Sequence, residues 1–155
     1  MNGDEIIRLL GLTLDDTKVK ELLSAFLIYK MPKLERGEMD AYVENTKLGV
    51  EFTFRDERYL DVKSIKYEEG SLVLWNVAFY GEDDNFNKFT EELLPLGLKF
   101  EYGRKEVEKQ LSKKPEWEDQ EMGDARWDFD NFCLFITFDE ELNEILNIAV
   151  QLPVK

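Results

Sequence analysis

The sequence predicts an α+β fold: two tandem units, each a helix plus a three-stranded antiparallel meander, sharing one sheet and one core. Three observations carry that prediction. Apolar residues recur at helical spacing near the N-terminus, strict apolar/polar alternation follows them, and both patterns return in the second half of the chain. Nothing rich in Pro or Ser separates the halves, so residues 1–155 are expected to form a single domain. Its expected parts are a unit over about 4–68, a central strand over 71–80 and a second unit over about 97–152.

Val19, Leu22, Leu23 and Phe26 stand at i, i+3, i+4 and i+7, one face of a helix spanning about Asp15 to Phe26. Thr13-Leu14-Asp15-Asp16 supplies its N-cap. A shorter stripe, Ile6, Ile7 and Leu10, precedes it and ends at Gly11. Met39, Ala41 and Val43 then alternate with Asp40, Tyr42 and Glu44, and after Asn45-Thr46 a second alternation sets Val50, Phe52 and Phe54 against Glu51, Thr53 and Arg55. That is a hairpin with one buried and one wet face. Val62, Ile65 and Tyr67 suggest a third strand. Ser71 to Tyr80, apolar on both faces, reads as a central strand covered on both sides: Val73, Trp75, Val77 and Phe79 face one way, Leu72, Leu74 and Ala78 the other.

In the second half Val107 and Leu111 answer Val19 and Leu23 at a shift of 88 residues. "LFITFDEE" (Leu134 to Glu141) answers "VEFTFRDE" (Val50 to Glu57), and Ile145, Ile148 and Val150 answer Val62, Ile65 and Tyr67. The two copies define the repeat.

Several chemistries are excluded by composition. The chain holds no histidine and one cysteine, which removes Ser-His-Asp triads, Cys-His pairs, thiolate clusters and the commonest zinc sites. No phosphate-binding glycine loop or nucleophile elbow occurs, so no cofactor is expected. A carboxylate-based hydrolase stays open as an alternative, although 34 acids in 155 residues make close acid pairs inevitable. Asp124, Asp128, Asp130 and Asn131 resemble fragments of a calcium loop, but Trp127 and Phe129 interrupt them and the central glycine is missing.

The net charge of -14 argues against binding to nucleic acid or an anionic membrane and favours a basic partner. Residues 1–80 hold 15 acids and 11 bases, whereas residues 81–155 hold 19 and 9, so the acidity lies mainly in the second half. The N-terminal stretch lacks the pattern of a secretory signal and no apolar run spans a bilayer. With a lone Cys133 in a core-type strand, a cytoplasmic protein is expected.

Strand alternation turns Ala125, Trp127 and Phe129 inward and Asp124, Arg126, Asp128 and Asp130 outward. Just before them, Glu116, Glu118, Asp119 and Glu121 fill a polar loop around Trp117. Trp117 either stands exposed amid acids, the composition of a recognition surface, or folds back onto the core. Trp117, Glu118, Asp119, Asp124, Asp128 and Asp130 are therefore the candidate partner-binding residues, with no catalytic or metal-ligating residue among them. Asp130-Asn131 reads as a two-residue hairpin turn, and Asp139-Glu140-Glu141 as the next turn.

The stretch "EELLPLGLKFEYGRKEVEKQLSKKPEW", Glu91 to Trp117, resembles a pattern of small bacterial proteins associated with polymorphic toxin and secretion-system loci. Leu94-Pro95, Gly97-Leu98, Arg104, Glu106-Val107, Leu111 and Pro115 fill that pattern, whereas Ser112-Lys113-Lys114 departs from its usual Leu-Gly turn. Helix and meander twice over is similar to the tandem units of the β-lactamase-inhibitor-like fold. The resemblance implies an immunity protein that neutralises a cognate basic toxin by stoichiometric binding. It carries over no contact residue, because these motif positions are those of turns and helix packing.

Overall fold

The computed structural model describes residues 1–61 and 65–153. Among these residues it is an α+β structure with three α-helices, α1 (Gly3–Ile7), α2 (Thr17–Ala25) and α3 (Arg104–Leu111). Seven strands accompany them: β1 (Asp40–Asn45), β2 (Val50–Asp56), β3 (Leu72–Tyr80), β4 (Trp117–Asp119), β5 (Asp124–Asp128), β6 (Cys133–Phe138) and β7 (Ile145–Gln151). All belong to a single antiparallel sheet in the order β1-β2-β3-β7-β6-β5-β4.

The helix expected over Asp15 to Phe26 is α2. Asp16 caps it by accepting the Lys18 N–H at 2.9 Å, satisfying one of the donors a helix start leaves free. Its stripe is buried as predicted: Val19, Leu22 and Leu23 are inaccessible to solvent, each burial worth about 1.5–3 kcal/mol. Phe26 follows and packs on Phe52 and Phe89 at ring separations of 5.7 and 6.0 Å. Asn45 ties the β1–β2 hairpin to this helix end. Its side-chain oxygen accepts the Lys47 and Leu48 N–H groups and its amide donates to the Phe26 carbonyl at 3.0 Å.

Two strand expectations are corrected. Ile65 and Tyr67 do not lie in a strand, and Val62 falls outside the described residues. The strand that pairs with β2 is β3, the longest apolar run, because it offers β2 a full ladder. Nor does β3 keep one alternation throughout. Phe54 pairs with Leu74 and Thr53 with Asn76, so Trp75 is an extra residue in the ladder. This bulge moves Val77 and Phe79 onto the side of Leu74, away from Val73. β3 is therefore covered along its length on one side only; on the other, Val73 meets a small cluster with Leu60 and Leu152.

In the second half, α3 ends where Ser112 adopts a left-handed conformation, φ 58°. The next residue, Lys113, offers its carbonyl to the indole N–H of Trp127 at 3.0 Å, anchoring the helix end to the middle of β5. Ala125 and Trp127 point inward as expected, while Phe129 has left the strand and stacks on Phe132 at 4.7 Å. The Asp130-Asn131 turn is closed by the bond from the Phe129 N–H to the Phe132 carbonyl at 2.9 Å. The stretch after Glu116 is not wholly a loop: Trp117–Asp119 adds as the edge strand β4.

The main core lies on one side of the sheet. There Val50, Phe52, Phe54, Leu74, Val77, Phe79, Ile148, Val150, Leu134, Ile136, Ala125 and Trp127 meet α2 and Val107 of α3. Among the described residues, α1, α2 and α3 all bury their apolar side chains in this core and none of them in the small cluster on the other side.

Candidate protein-binding face

The registers of the six strand pairs define three cross-strand rows on the helix-free side. The middle row crosses all seven strands: Trp117, Arg126, Phe135, Ala149, Ala78, Glu51 and Glu44 stand opposite one another in succession. One flanking row runs Asp119, Asp124, Thr137, Asn147 and Tyr80. The other runs Asp128, Cys133, Gln151, Asn76, Thr53 and Tyr42. Paired residues in an antiparallel sheet share a face, so these rows form one surface. Five carboxylates and one guanidinium stand on these rows, and the Asp40–Arg55 pair beside Tyr42 adds a sixth carboxylate and a second guanidinium to the same side. Its centre is low, because Ala78 and Ala149 lie between Phe135 and Glu51.

The surface is braced by its own side chains. Thr137 donates to Asp124 at 2.7 Å, Asn76 donates to Gln151 at 2.9 Å, and Cys133 Sγ lies 3.2 Å from Asp128. Arg126 pairs with Asp128 at 3.0 Å. At the far end Glu44 and Glu51 are directly opposed across β1 and β2. Partial burial, then the charge of Glu44, raises the Glu51 carboxyl above its ordinary value. Tyr80 donates to Glu51 at 3.3 Å, and burial together with that carboxylate pushes its phenol up to about 12. Tyr80 therefore stays protonated and serves as a donor. Chemically, the face can pair with cations and pack against apolar or planar groups.

Of the six candidate residues, four come together. Asp119 pairs directly with Asp124, Asp128 follows on the same side of β5, and Trp117, 44% exposed, stands beside Arg126. Trp117 thus does not fold back onto the core. Glu118 departs from the expected cluster: it pairs with Ala125, whose side is the covered one, and its carboxylate binds Arg104 of α3. The period of two alone turns it away from its neighbours. Asp130 also departs. It occupies the hairpin turn, where it borders a depression with Arg8, Asn131 and Pro153. Phe135, Ala149, Ala78, Tyr80 and Glu51 join the face without having been singled out. Their signal was local, since each alternates with a buried strand residue, but only strand order sets them in one row.

Among the described residues, no three His, Cys, Asp or Glu side chains are grouped to hold a metal ion, and no helix is long and apolar enough to cross a membrane. No protein-family model and no curated protein matches the chain. The fold is similar to the crystal structure of an extracellular protein containing a SCP domain from Bacillus anthracis str. Ames, with a TM-score of 0.55 and 13% identity. The match covers 97% of this chain and 47% of that one, so the chain spans about half the length of its structural neighbour. At that identity the likeness concerns the fold alone.

Proposed function

We propose that this chain is a non-catalytic immunity protein that neutralises a basic toxin in the cytoplasm by stoichiometric binding through the helix-free face of its sheet. One observation carries the reading: the helix-free face bears six carboxylates and two guanidinium groups around the partly exposed Phe135, Ala149 and Ala78, with Trp117 at its rim and only Cys133, Gln151 and Thr53 of its rows buried. Acid of this density speeds encounter with a positively charged surface, and an aromatic beside a low apolar centre supplies area to bury once contact is made. The four-residue cluster Trp117, Asp119, Asp124 and Asp128 is its acidic end. The strand order also fits a duplicated unit of helix plus three-stranded meander, with β1, β2, β3 answering β5, β6, β7 and the central β3–β7 pair joining the copies.

Co-expression with the adjacent open reading frame tests this. The expected result is rescue from toxicity and a co-purifying complex. Asp119→Asn, Asp124→Asn and Asp128→Asn together should slow association roughly tenfold at low salt and much less at high salt, because long-range steering is screened. A complex whose association rate ignores all three changes removes this end of the face from the interface.

A second reading, of another protein-binding role, starts from the same acidic face and the same absence of a recognised catalytic motif in the sequence. In that reading the same face is an adaptor surface that docks another protein or domain. Binding of a non-toxic partner, with no protection against any neighbouring gene product, distinguishes it from immunity.

A further inference from the structure

The outer edge of β1 combines a free hydrogen-bonding ladder with an unusual concentration of exposed apolar side chains. Leu27, Tyr29, Met31, Met39 and Tyr42, between 44 and 72% exposed, fall within sixteen consecutive residues, against six such large side chains elsewhere among the described residues. Clusters of this kind mark contact surfaces more often than scattered single residues do. β1 pairs with β2 alone, and residues 28–35 pass beside it with no backbone hydrogen bond to it among the described residues. Between them lies a groove of about 360 Å³ whose lining includes Ile28, Met31, Pro32, Tyr42, Val43 and Glu44.

The ladder fixes which groups point outward. Asp56 donates its N–H to the Met39 carbonyl at 2.9 Å, so Met39 and Asp56 form a hydrogen-bonded pair. The alternate residues Asp40, Tyr42 and Glu44 then direct their N–H and C=O groups away from β2, toward the free edge. Their side chains stand on the helix-free side, where Asp40 is already bound by Arg55 at 2.8 Å and Glu44 faces Glu51, an acid against an acid. On the other side Val43 lines the groove, which Lys30, Lys33 and Glu35 also border.

We propose that the free edge of β1 accepts an extended segment of a partner protein as an eighth strand, one in which basic residues alternate with apolar ones. The backbone of Asp40, Tyr42 and Glu44 supplies the ladder, and the alternation follows from the two sides of the strand. A basic residue of the guest meets Glu44 and Glu51, which form no ion pair with a cation among the described residues; its apolar neighbours meet Ile28, Met31, Pro32 and Val43 in the groove, where Lys30 and Lys33 offset Glu35. A slip of one residue exchanges the two sides, so charge selects the register. A second copy of this chain is disfavoured, because two-fold pairing about Tyr42 sets Asp40 of one copy against Glu44 of the other. The edge lies five strand spacings, roughly 24 Å, from β5, and the inference does not rest on the acidic cluster there.

The test uses the full chain and three capped synthetic peptides: alternating Lys-Val, a block peptide of the same composition, and alternating Glu-Val. The Lys-Val peptide should bind and slow amide hydrogen exchange at Asp40, Tyr42 and Glu44. Tyr42→Pro deletes an outward N–H that Tyr42→Ala keeps, and is tolerable on an edge strand; it should weaken binding at least about tenfold relative to Tyr42→Ala while Ala41 and Val43 stay protected. Should Tyr42→Pro unfold the chain, Glu44→Lys serves instead, weakening the Lys-Val peptide and strengthening the Glu-Val one. Equal binding of the block peptide, undiminished binding to the substituted edge, or protection of the three amides in the free protein would each overturn the proposal. Asp124→Asn with Asp128→Asn should leave peptide affinity unchanged, and a loss there would assign the peptide to the other end of the face.

Discussion

Glu51→Gln should make this protein more stable at neutral pH, although it replaces a residue with a hydrogen bond. Glu51 and Glu44 are directly opposed in a non-hydrogen-bonded pair of β1 and β2, the closer of the two antiparallel geometries. At a separation of ~5 Å two unit charges repel by ~0.8 kcal/mol in water and ~3 kcal/mol at an effective dielectric of 20. Glu44 is exposed and Glu51 only partly buried, so the lower figure governs, and a gain of about 0.5–1 kcal/mol is expected. Glutamine keeps an oxygen for the Tyr80 hydroxyl, now at 3.3 Å, so little is lost in exchange. The effect has a definite pH dependence. The folded-state carboxyl is raised above its ordinary 4.5, so its favourable protonated form contributes fully below that value, and the contribution is lost as pH rises through the folded value. Urea denaturation of the wild type and Glu51→Gln at pH 7.5 and pH 4 should show a gap that nearly closes at the lower pH. A variant less stable at pH 7.5, or a gap of equal size at both, would refute the reasoning.

Asp56 has the opposite sign. It is buried, caps a single helical turn through the Arg58 N–H at 3.0 Å and binds the Arg58 guanidinium at 2.9 Å, which together lower its carboxyl. Asp56→Ala should cost about 1 kcal/mol at neutral pH, with the difference shrinking as pH falls below the ordinary 3.8, read by denaturation at several pH values. Trp127→Ala empties the centre of the second meander and strips the Lys113 carbonyl of its donor; a loss of about 3–5 kcal/mol in the same assay is expected. Gly49→Ala should cost at least about 2 kcal/mol, since φ is +71° and a Cβ there would sit 2.3 Å from the Asn87 carbonyl oxygen. Thermal denaturation with an unchanged midpoint would contradict that contact.

What the sequence determined by itself is what nearest neighbours along the chain decide. The stripe of α2 follows from a period of 3.6 and a cap within Thr13 to Asp16 from a helix start that needs an acceptor, although the fold begins the helix two residues later than Asp15 and uses Asp16. The outward side of Asp124 and Asp128 follows from a period of two, as does the Asp130-Asn131 turn from the two strands it joins. Pairing between distant segments was not legible in this way. Residues 62–67 carried a strand-like pattern, yet β2 closes its ladder with β3, because a long apolar strand satisfies more backbone groups and buries more surface. The extra residue at Trp75 then reversed which side Val77 and Phe79 occupy, a consequence of register that no periodicity records. Tertiary structure alone separated Glu118 from Asp119, drawing one to Arg104 and leaving the other beside Asp124. It also set Glu44 against Glu51 and left the edge of β1 open, because charge contacts and free edges depend on which strands become neighbours, and that is settled only when the whole sheet forms.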